Sequence, residues 1–281
     1  MLCTIRTAMT GITIACTARL QRSRYTNARI VFCKRRYFSL YIDGRRMGNP
    51  YFQFKQFAVW HDQCAMKVGT DGVLLGAWAT PDLSPSRVLD IGTGSGLIAL
   101  MLAQRFPDAQ IDAIDIDEAA VQQAEDNFCR SPFSERLRVQ ACRLQDWSGD
   151  PYDLIVSNPP YFVNSLKCPD KTRTDARHNN MLPFADLVAH SDRLSADLGT
   201  IAFVLPIEAE QDILALARLR RLHCNRLTYV YTKVGKPAKR LLTAFSRVEP
   251  PTPPVAEHLC LSEDGTTRSA AYRKLTEAFY L

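Results

Sequence analysis

The segment Ser157-Asn158-Pro159-Pro160-Tyr161 combines groups that could hold and activate a planar amine. The amide oxygen of Asn158 and a backbone carbonyl could together accept both hydrogens of an –NH₂ group, because two prolines stiffen the turn and add no N–H donors of their own. Such bonding favours a pyramidal nitrogen, whose lone pair can attack an electrophilic methyl group. The ring of Tyr161 offers a face on which a purine could stack. The alternative interpretation is a proline-stiffened turn with an exposed tyrosine.

A second chemical motif lies upstream, in the glycine-rich turn Asp90-Ile91-Gly92-Thr93-Gly94-Ser95-Gly96. Glycines permit positive φ angles and close approach of a ligand to the backbone, and a following helix start supplies unpaired N–H groups. Read from Gly94, the turn also fits the loose G-x-G-x-x-A form of a dinucleotide site. The turn alone therefore leaves a nicotinamide cofactor, or mere tight packing, open.

Five further polar residues could complete a cofactor site. Asp115 ends the strand predicted after the turn and could accept hydrogen bonds from ribose hydroxyls. Asp90 could stabilise a neighbouring cation or only cap the glycine turn. Asp146, after the third predicted strand, could accept a hydrogen bond from the exocyclic amine of the cofactor's adenine or lie in a surface turn. Thr70 and Asp71, in the run GTDG, could close one end of the cofactor site or only make a turn.

The elements that must position these groups alternate along the chain. Continuous apolar runs indicate strands covered on both faces, and therefore a mainly parallel sheet. We predict an α/β fold: a Rossmann-like, doubly wound, mostly parallel seven-stranded sheet with an antiparallel C-terminal strand pair. Both motifs then fall at the carboxyl ends of strands, where such sheets bind ligands. Strands are predicted at 87–91, 110–115, 137–141, 153–157, 200–205, 226–232 and 240–245, and helices at 97–106, 118–128, 184–196 and 208–218.

Charge divides the chain into two parts. The 281 residues carry a net charge of +6 and are 46% hydrophobic, which excludes wholesale disorder, and no apolar run is long enough for a membrane span. Residues 1–46 hold ten basic residues against the single acid Asp43, so residues 47–281 are net acidic. We interpret 1–46 as a basic, disordered extension that results from a start codon assigned too far upstream of Met47, with a nucleic-acid-binding arm and a targeting signal as alternatives. Residues 47–281 form the predicted domain.

The nine cysteines are scattered, and no pair has C-x-x-C spacing. No histidine is placed to complete a zinc cluster, so we expect no metal site. Scattered, unpaired cysteines are typical of reduced thiols, which predicts a cytoplasmic protein. The oligomeric state is not predictable from these features.

The pair DIGTGSG and NPPY resembles class I S-adenosylmethionine-dependent methyltransferases that act on a planar amine nitrogen. DNA adenine, release-factor glutamine, rRNA guanine and tRNA adenine methyltransferases share NPPY. The flanking segments are similar to the bacterial tRNA(Val) adenine-N6 methyltransferases, whose substrate is adenine 37, immediately 3′ of the anticodon. These segments are residues 52–57, 66–78, 176–178, 235–242 and 279–281.

The resemblance covers residues 47–281 and implies a role for each motif. It implies S-adenosyl-L-methionine as cofactor and the anticodon loop of a tRNA as partner, with neither metal nor membrane. Catalysis would fall to Asn158, Pro159, Pro160 and Tyr161. The cofactor would be bound by Thr70, Asp71, Asp90, Gly92, Gly94, Gly96, Asp115 and Asp146. RNA would be bound by Arg177, Lys236, Lys239 and Arg240.

The residue types independently favour an RNA partner. Between Ile213 and Val248 there is no acid, while nine basic residues occur. Such a patch on an acidic body is the electrostatic footprint of phosphate binding, although a solvated helix face and a lysine-defended edge strand would give the same pattern.

Three other functions stay open at this point. A release-factor glutamine methyltransferase would use the same site, but the chain has no room before the glycine turn for a substantial helical domain. A DNA adenine methyltransferase is disfavoured because no target-reading domain is inserted. A non-catalytic RNA-binding module is disfavoured by the intact NPPY motif.

Overall fold

The computed structural model describes residues 50–63, 67–160 and 182–281. Three predictions therefore lie outside the described residues: the extension 1–46, the aromatic face of Tyr161 and the RNA contact of Arg177. Within the described parts of the chain, a short hairpin precedes a central eight-stranded sheet. The hairpin strands are β1 (Tyr51–Gln53) and β2 (Ala58–Trp60).

The central sheet confirms the predicted fold class. Its strands are β3 (Arg87–Ile91), β4 (Gln110–Asp115), β5 (Leu137–Ala141), β6 (Tyr152–Ser157), β7 (Ser195–Pro206), β8 (His223–Tyr231), β9 (Ala238–Ser246) and β10 (Glu257–Cys260). Their order across the sheet is β10-β8-β9-β7-β6-β3-β4-β5. Only β9 is reversed: it runs antiparallel to both β7 and β8, while all other neighbours are parallel.

The strand number differs from the prediction by one. The short strand β10 extends the sheet by pairing in parallel with β8, so the described sheet has eight strands rather than seven. The sequence of β10, EHLC, is too short and too polar to show strand periodicity, and its pairing partner alone makes it a strand. The β8–β9 pair is antiparallel as predicted, but β8 itself points in the common direction.

Helices cover both faces of the sheet. They are α1 (Thr70–Trp78), α2 (Leu97–Arg105), α3 (Glu118–Arg130), α4 (Phe184–Leu194), α5 (Glu210–Leu219) and α6 (Ala270–Thr276). Core residues of α1, α2, α3 and α6 cluster with Val88 of β3, whereas those of α4 and α5 cluster with the adjacent Leu89. Since neighbouring strand residues point to opposite faces, β3 is buried on both sides, as its continuous apolar run predicted.

Helix α1 was not predicted, because it is apolar on every side and contains two glycines. Residues 72–78 are all buried. A Cβ added at Gly76 would lie 2.8 Å from Sδ of Met101 on α2, so glycine is needed for the close approach of the two helices. Tertiary packing here outweighs the low helix propensity of glycine.

A buried side chain, Asn127, helps to attach the β1–β2 hairpin to the rest of the fold. Asn127 on α3 accepts a hydrogen bond from the backbone N–H of Trp60 at 2.9 Å, and its amide group donates to the carbonyls of Trp60 and Ser95, each at 2.8 Å. Because Ser95 belongs to the glycine turn, Asn127 links the hairpin to the predicted cofactor site. Among the described helices none is long and apolar enough to cross a membrane.

Candidate active site

Three strand ends meet around one cavity at the carboxyl edge of the sheet. Strand β3 lies between β4 and β6, so the glycine turn, Asp115 and Asn158 follow three neighbouring strands. All three border a cavity of about 610 Å³. The fold therefore brings together the two motifs that the sequence singled out.

Gly92 and Gly94 form the floor of this cavity. Their φ angles are 70° and 56°, in the left-handed region that favours glycine. A Cβ added at either position would meet no heavy atom within 4 Å, so both open onto the cavity space. The N–H of Gly92 donates to the carbonyl of Ile114 at 2.8 Å, which fixes the turn against the end of β4.

Gly96 serves packing rather than the cavity. It is buried, has φ 79°, and is not among the residues that line the cavity. A Cβ at this position would lie 2.5 Å from Cε1 of Phe128 on α3. Gly96 thus does not border the cavity, and the structure does not support its predicted contact with the cofactor. A glycine is needed here because α2 approaches α3 closely.

Asp115 lines the cavity at the end of β4. Its carboxylate accepts hydrogen bonds from the N–H of Gly94 at 2.8 Å and from the N–H of Asp117 at 3.0 Å. Asp117 in turn caps α3 by accepting from the N–H of Ala119 at 2.9 Å, as a helix N-cap does. The half-buried carboxylate of Asp115 is therefore fixed in direction at the cavity wall.

Asp90 lies fully buried beneath the glycine turn. One carboxyl oxygen accepts a hydrogen bond from the Thr93 hydroxyl at 2.6 Å, and the other has no hydrogen-bond partner. Burial raises the pKa of Asp90 to about 7; the Thr93 hydrogen bond opposes this shift, and the charge of Asp115 adds to it. Asp90 thus does cap the turn, the simpler of its two interpretations, and does not line the cavity.

The tetrapeptide segment lines the cavity at the end of β6, next to the glycine turn at the end of β3. The hydroxyl of Ser157 donates to the carbonyl of Ile91 at 2.8 Å and joins the end of β6 to the end of β3. The next residue, Asn158, is half-buried, while Pro159 is buried and Pro160 exposed, and all three line the cavity. The tetrapeptide segment and the glycine floor therefore border the same cavity.

Thr70 and Asp71 begin α1 and line the same cavity. Asp71 accepts a hydrogen bond from Nε of Arg240 on β9 at 2.7 Å, and Arg240 also lines the cavity. The sequence grouped Arg240 with Lys236 and Lys239 as an RNA-binding patch. The structure separates it from them, because Arg240 belongs to the cavity wall.

The basic run predicted as an RNA footprint does not form one surface. Lys236 and Lys239 are exposed on or beside the turn between β8 and β9, at the carboxyl edge near the cavity. Arg226 instead pairs with Glu257 and packs on Trp78, and Arg247 bonds to Asp192. Arg218, Arg220 and Arg221 lie where α5 returns to the start of β8, at the opposite edge.

Asp146 is exposed and does not line the cavity. Its predicted contact with adenine therefore gains no geometric support. The segment just before it, from Cys142 to Gln145, lines the cavity instead. Ile116, which the sequence did not single out, also lines the cavity, with 48% of its surface exposed. An exposed isoleucine directly after a predicted ligand-binding acid is the signal that could have found it.

These residues fit an adenosine-containing methyl donor. The open space above Gly92 and Gly94 can take a ligand pressed against the backbone, and Asp115 offers acceptor oxygens for hydroxyl groups. Ile116 and Leu144 supply apolar walls for a flat base. Among the described residues no group of three or more His, Cys, Asp or Glu side chains could hold a metal ion.

Comparison with known proteins defines the class. The methyltransferase small domain family matches residues 69–174. A crystal structure of a predicted O-methyltransferase from Agrobacterium tumefaciens superposes with a TM-score of 0.57 at 19% identity, covering 74% of this chain and 96% of that one. Its likeness is one of fold. The protein is therefore a class I methyltransferase, with S-adenosylmethionine as cofactor.

Full-length relatives define the family. The tRNA1(Val) (adenine(37)-N6)-methyltransferase of Parabacteroides distasonis is 49% identical over 238 residues, covering 84% of this chain and 99% of the relative. The enzyme of the same name from Aeromonas hydrophila is 48% identical over 239 residues, with 85% and 99% covered. The chain belongs to the tRNA1(Val) (adenine(37)-N6)-methyltransferase family. Membership gives no support to the release-factor alternative.

Proposed function

We propose that this enzyme transfers a methyl group from S-adenosylmethionine to N6 of adenine 37 in tRNA(Val). The observation that carries the proposal is that Asn158 and Pro159 border the same cavity as the Gly92–Gly94 floor. A site for the amine and a site for the cofactor in one cavity are what direct methyl transfer requires. The printed names of the relatives supply the tRNA and the adenine.

The cofactor would be held by the groups that already define the cavity. Asp115 would accept the ribose hydroxyls, and Ile116 and Leu144 would flank the adenine. Asp71, fixed by Arg240, would lie near the methionine end of the cofactor. Asp90 would act from beneath the turn, because its buried carboxyl group favours a positive charge above it. Bound there, S-adenosylmethionine supplies an electrophilic methyl group on a positively charged sulfur.

The target amine would be held by Asn158 and Pro159. The Asn158 amide oxygen and the Pro159 carbonyl would each accept one hydrogen of the N6 amine, which turns the nitrogen lone pair towards the methyl group. No strong base is needed, because the methylated nitrogen loses its extra proton to water. To reach this site the adenine must leave its stack, and Tyr161 would receive its face.

RNA binding and a cytoplasmic location belong to the same proposal. Exposed Lys236 and Lys239 beside the cavity support phosphate contacts. The described cysteines 142, 224 and 260 are free thiols, which supports a reducing compartment. We also propose that residues 47–281 carry the whole activity.

The test is methylation of defined transcripts by the purified protein. Unmodified tRNA(Val) and a matched transcript with guanine at position 37 are incubated with S-adenosylmethionine, digested to nucleosides and analysed by mass spectrometry. We expect N6-methyladenosine from the first transcript and none from the second. Cofactor binding without N6-methyladenosine in either transcript would contradict the proposed substrate.

A further inference from the structure

Three rings lie in a row on the two strands at the edge of the sheet. Tyr229 and Tyr231 are two residues apart on β8 and therefore point to the same face, and His258 on β10 is the register partner of Tyr229. The His258 ring lies 5.6 Å from the Tyr229 ring and 5.7 Å from the Tyr231 ring, at interplanar angles of 26° and 34°. We call these three residues the aromatic row.

The aromatic row is accessible, although strand β8 is otherwise well packed. Thr228 and Val230, which alternate with the two tyrosines, are buried on the other face. His258 is exposed and both tyrosines are half-buried. Aromatic side chains usually bury most of their surface, so three partly accessible rings side by side indicate a binding surface.

Hydrogen bonds at the ring edges fix the row. The Tyr229 hydroxyl donates to Oε1 of Glu210 on α5 at 2.5 Å, and the Tyr231 hydroxyl lies 2.9 Å from Nδ1 of His258. The bond to Glu210 raises the pKa of Tyr229 to about 12, so its phenol stays neutral. The rings are therefore ordered before any ligand arrives, which lowers the entropy cost of stacking on them.

Lysines border one side of the row. The turn that follows Tyr231 carries Lys233 and Lys236, and Lys239 lies at the start of β9. Lys239 is exposed and lies at a register shift in the β8–β9 pair, between Arg240, which lines the cavity, and Ala238, the register partner of Tyr231. The basic turn thus joins the cavity to the row.

An acidic group borders the other side and sets a direction. Glu210 lies in the first turn of α5 beside Tyr229, with Asp212 on the same turn. A phosphate backbone is repelled there and attracted by the lysines. A bound strand would therefore place its phosphates along the β8–β9 turn and its bases over the rings.

We propose that the aromatic row stacks unpaired bases of the tRNA next to the target nucleotide, while Lys233, Lys236 and Lys239 hold their phosphates. The proposal rests on the proposed function and adds a second RNA contact outside the catalytic cavity. Strand β8 is three strand spacings from β6, about 14 Å at the usual spacing. This equals roughly four stacked nucleotides, so one loop can reach both places.

The experiment compares the affinity of unmodified tRNA(Val) transcript for matched variants over a range of salt concentrations. Tyr231→Leu together with His258→Ala removes two stacking faces, and we expect about 5- to 100-fold weaker binding with an unchanged salt slope. Lys236→Ala together with Lys239→Ala removes charge only, and we expect a slope smaller by about 1.4 to 1.8. Tyr231→Phe keeps the ring but loses the bond to His258, so it is expected to bind less tightly than the wild type and more tightly than the double variant.

Variants at the opposite edge of the sheet serve as controls. His223→Ala and Arg218→Ala remove the same side-chain types far from the cavity, and both are expected to leave RNA affinity unchanged. Thermal unfolding and S-adenosylmethionine titration of each variant show that the fold and cofactor site persist. Wild-type RNA affinity in the Tyr231→Leu, His258→Ala protein would refute the proposal that the aromatic row stacks bases of the tRNA. Failure of the wild type to bind this tRNA, with normal cofactor binding, would instead overturn the proposed function.

Discussion

Arg240 and Asp71 form an ion pair in the wall of the active-site cavity, with Nε and Oδ2 2.7 Å apart. The sequence had placed these residues in different sites, Asp71 with the cofactor and Arg240 with RNA. They come from the start of α1 and the start of β9, which only the folded sheet brings together. Strand β9 therefore follows the basic turn that carries Lys236 and also contributes Arg240 to the wall of the cofactor site.

Replacing Arg240 by alanine is therefore expected to weaken cofactor binding. The pair is partly exposed, at 33% and 26%, so its loss costs about 0.2–1 kcal/mol, or roughly a 1.4- to 5-fold rise in the Kd for S-adenosylmethionine. Isothermal titration measures this change. Lys236→Ala is the control and should leave the cofactor Kd unchanged. An unchanged Kd in Arg240→Ala would show that Asp71 needs no partner.

Much of the sheet could be predicted because each of these strands is marked by a short apolar run in the local sequence. The apolar runs Arg87–Ile91, Gln110–Asp115 and Leu137–Ala141 form strands with the predicted bounds. Helix α4 is shorter than predicted, because Ser195 already begins β7 and pairs with Tyr152. That exchange of helix for strand depends on a distant partner and leaves no local signal.

The candidate site was predictable in part for the same reason. Gly92, Gly94 and Asn158 follow directly after recognisable strands, so their common edge follows from the parallel topology. The roles of Gly96 and Arg240 depend on what lies opposite them, namely Phe128 and Asp71. Such contacts join distant parts of the chain, and residue type alone does not report them.

Asn158→Ala should abolish methyl transfer and leave cofactor affinity nearly unchanged. The proposed hydrogen bonds of Asn158 go to the reacting amine, and loss of one such acceptor typically lowers kcat by about 100- to 1,000-fold. Single-turnover methylation of tRNA(Val) and titration with S-adenosylmethionine measure the two quantities separately. Equal losses of rate and cofactor affinity would contradict this division of roles.

Asp115→Ala should have the opposite effect. Its carboxylate is aimed at the cavity and would bond to ribose hydroxyls, so its loss is expected to weaken cofactor binding by about 1–3 kcal/mol. The neighbouring Asp117→Ala is the control: it removes the cap of α3 and should lower stability by about 0.5–2 kcal/mol with a smaller effect on affinity. Tight binding of NADH by either protein would argue against a methyltransferase site.

Asp90 should make the cofactor-free enzyme less stable as the pH rises. Its pKa is about 7 in the folded state against 3.8 for an unperturbed group, so the folded state holds a proton that the unfolded state releases. The stabilisation is complete below pH 4 and is lost as the pH rises to 7 and above, by an amount on the order of 4 kcal/mol. Urea unfolding of wild type and Asp90→Asn at pH 5 and pH 8 tests this. The difference between the two proteins should change with pH in favour of the variant; a difference independent of pH would refute the shifted pKa.

Two alanine substitutions in the glycine turn can be compared. They place the new methyl group in different surroundings. Gly94→Ala places a methyl group in open cavity space at φ 56°, so the strain costs about 1–2 kcal/mol of stability, and the methyl group occupies space needed by the cofactor. Gly96→Ala causes similar strain and also brings the new methyl group within 2.5 Å of Phe128, so its loss of stability should be the larger of the two by at least about 1 kcal/mol.

Urea unfolding and cofactor titration of both variants separate the two effects. We expect Gly94→Ala to lose more cofactor affinity than stability. The reverse order, with Gly96→Ala the more stable protein, would mean that α2 and α3 do not pack through Phe128 as described.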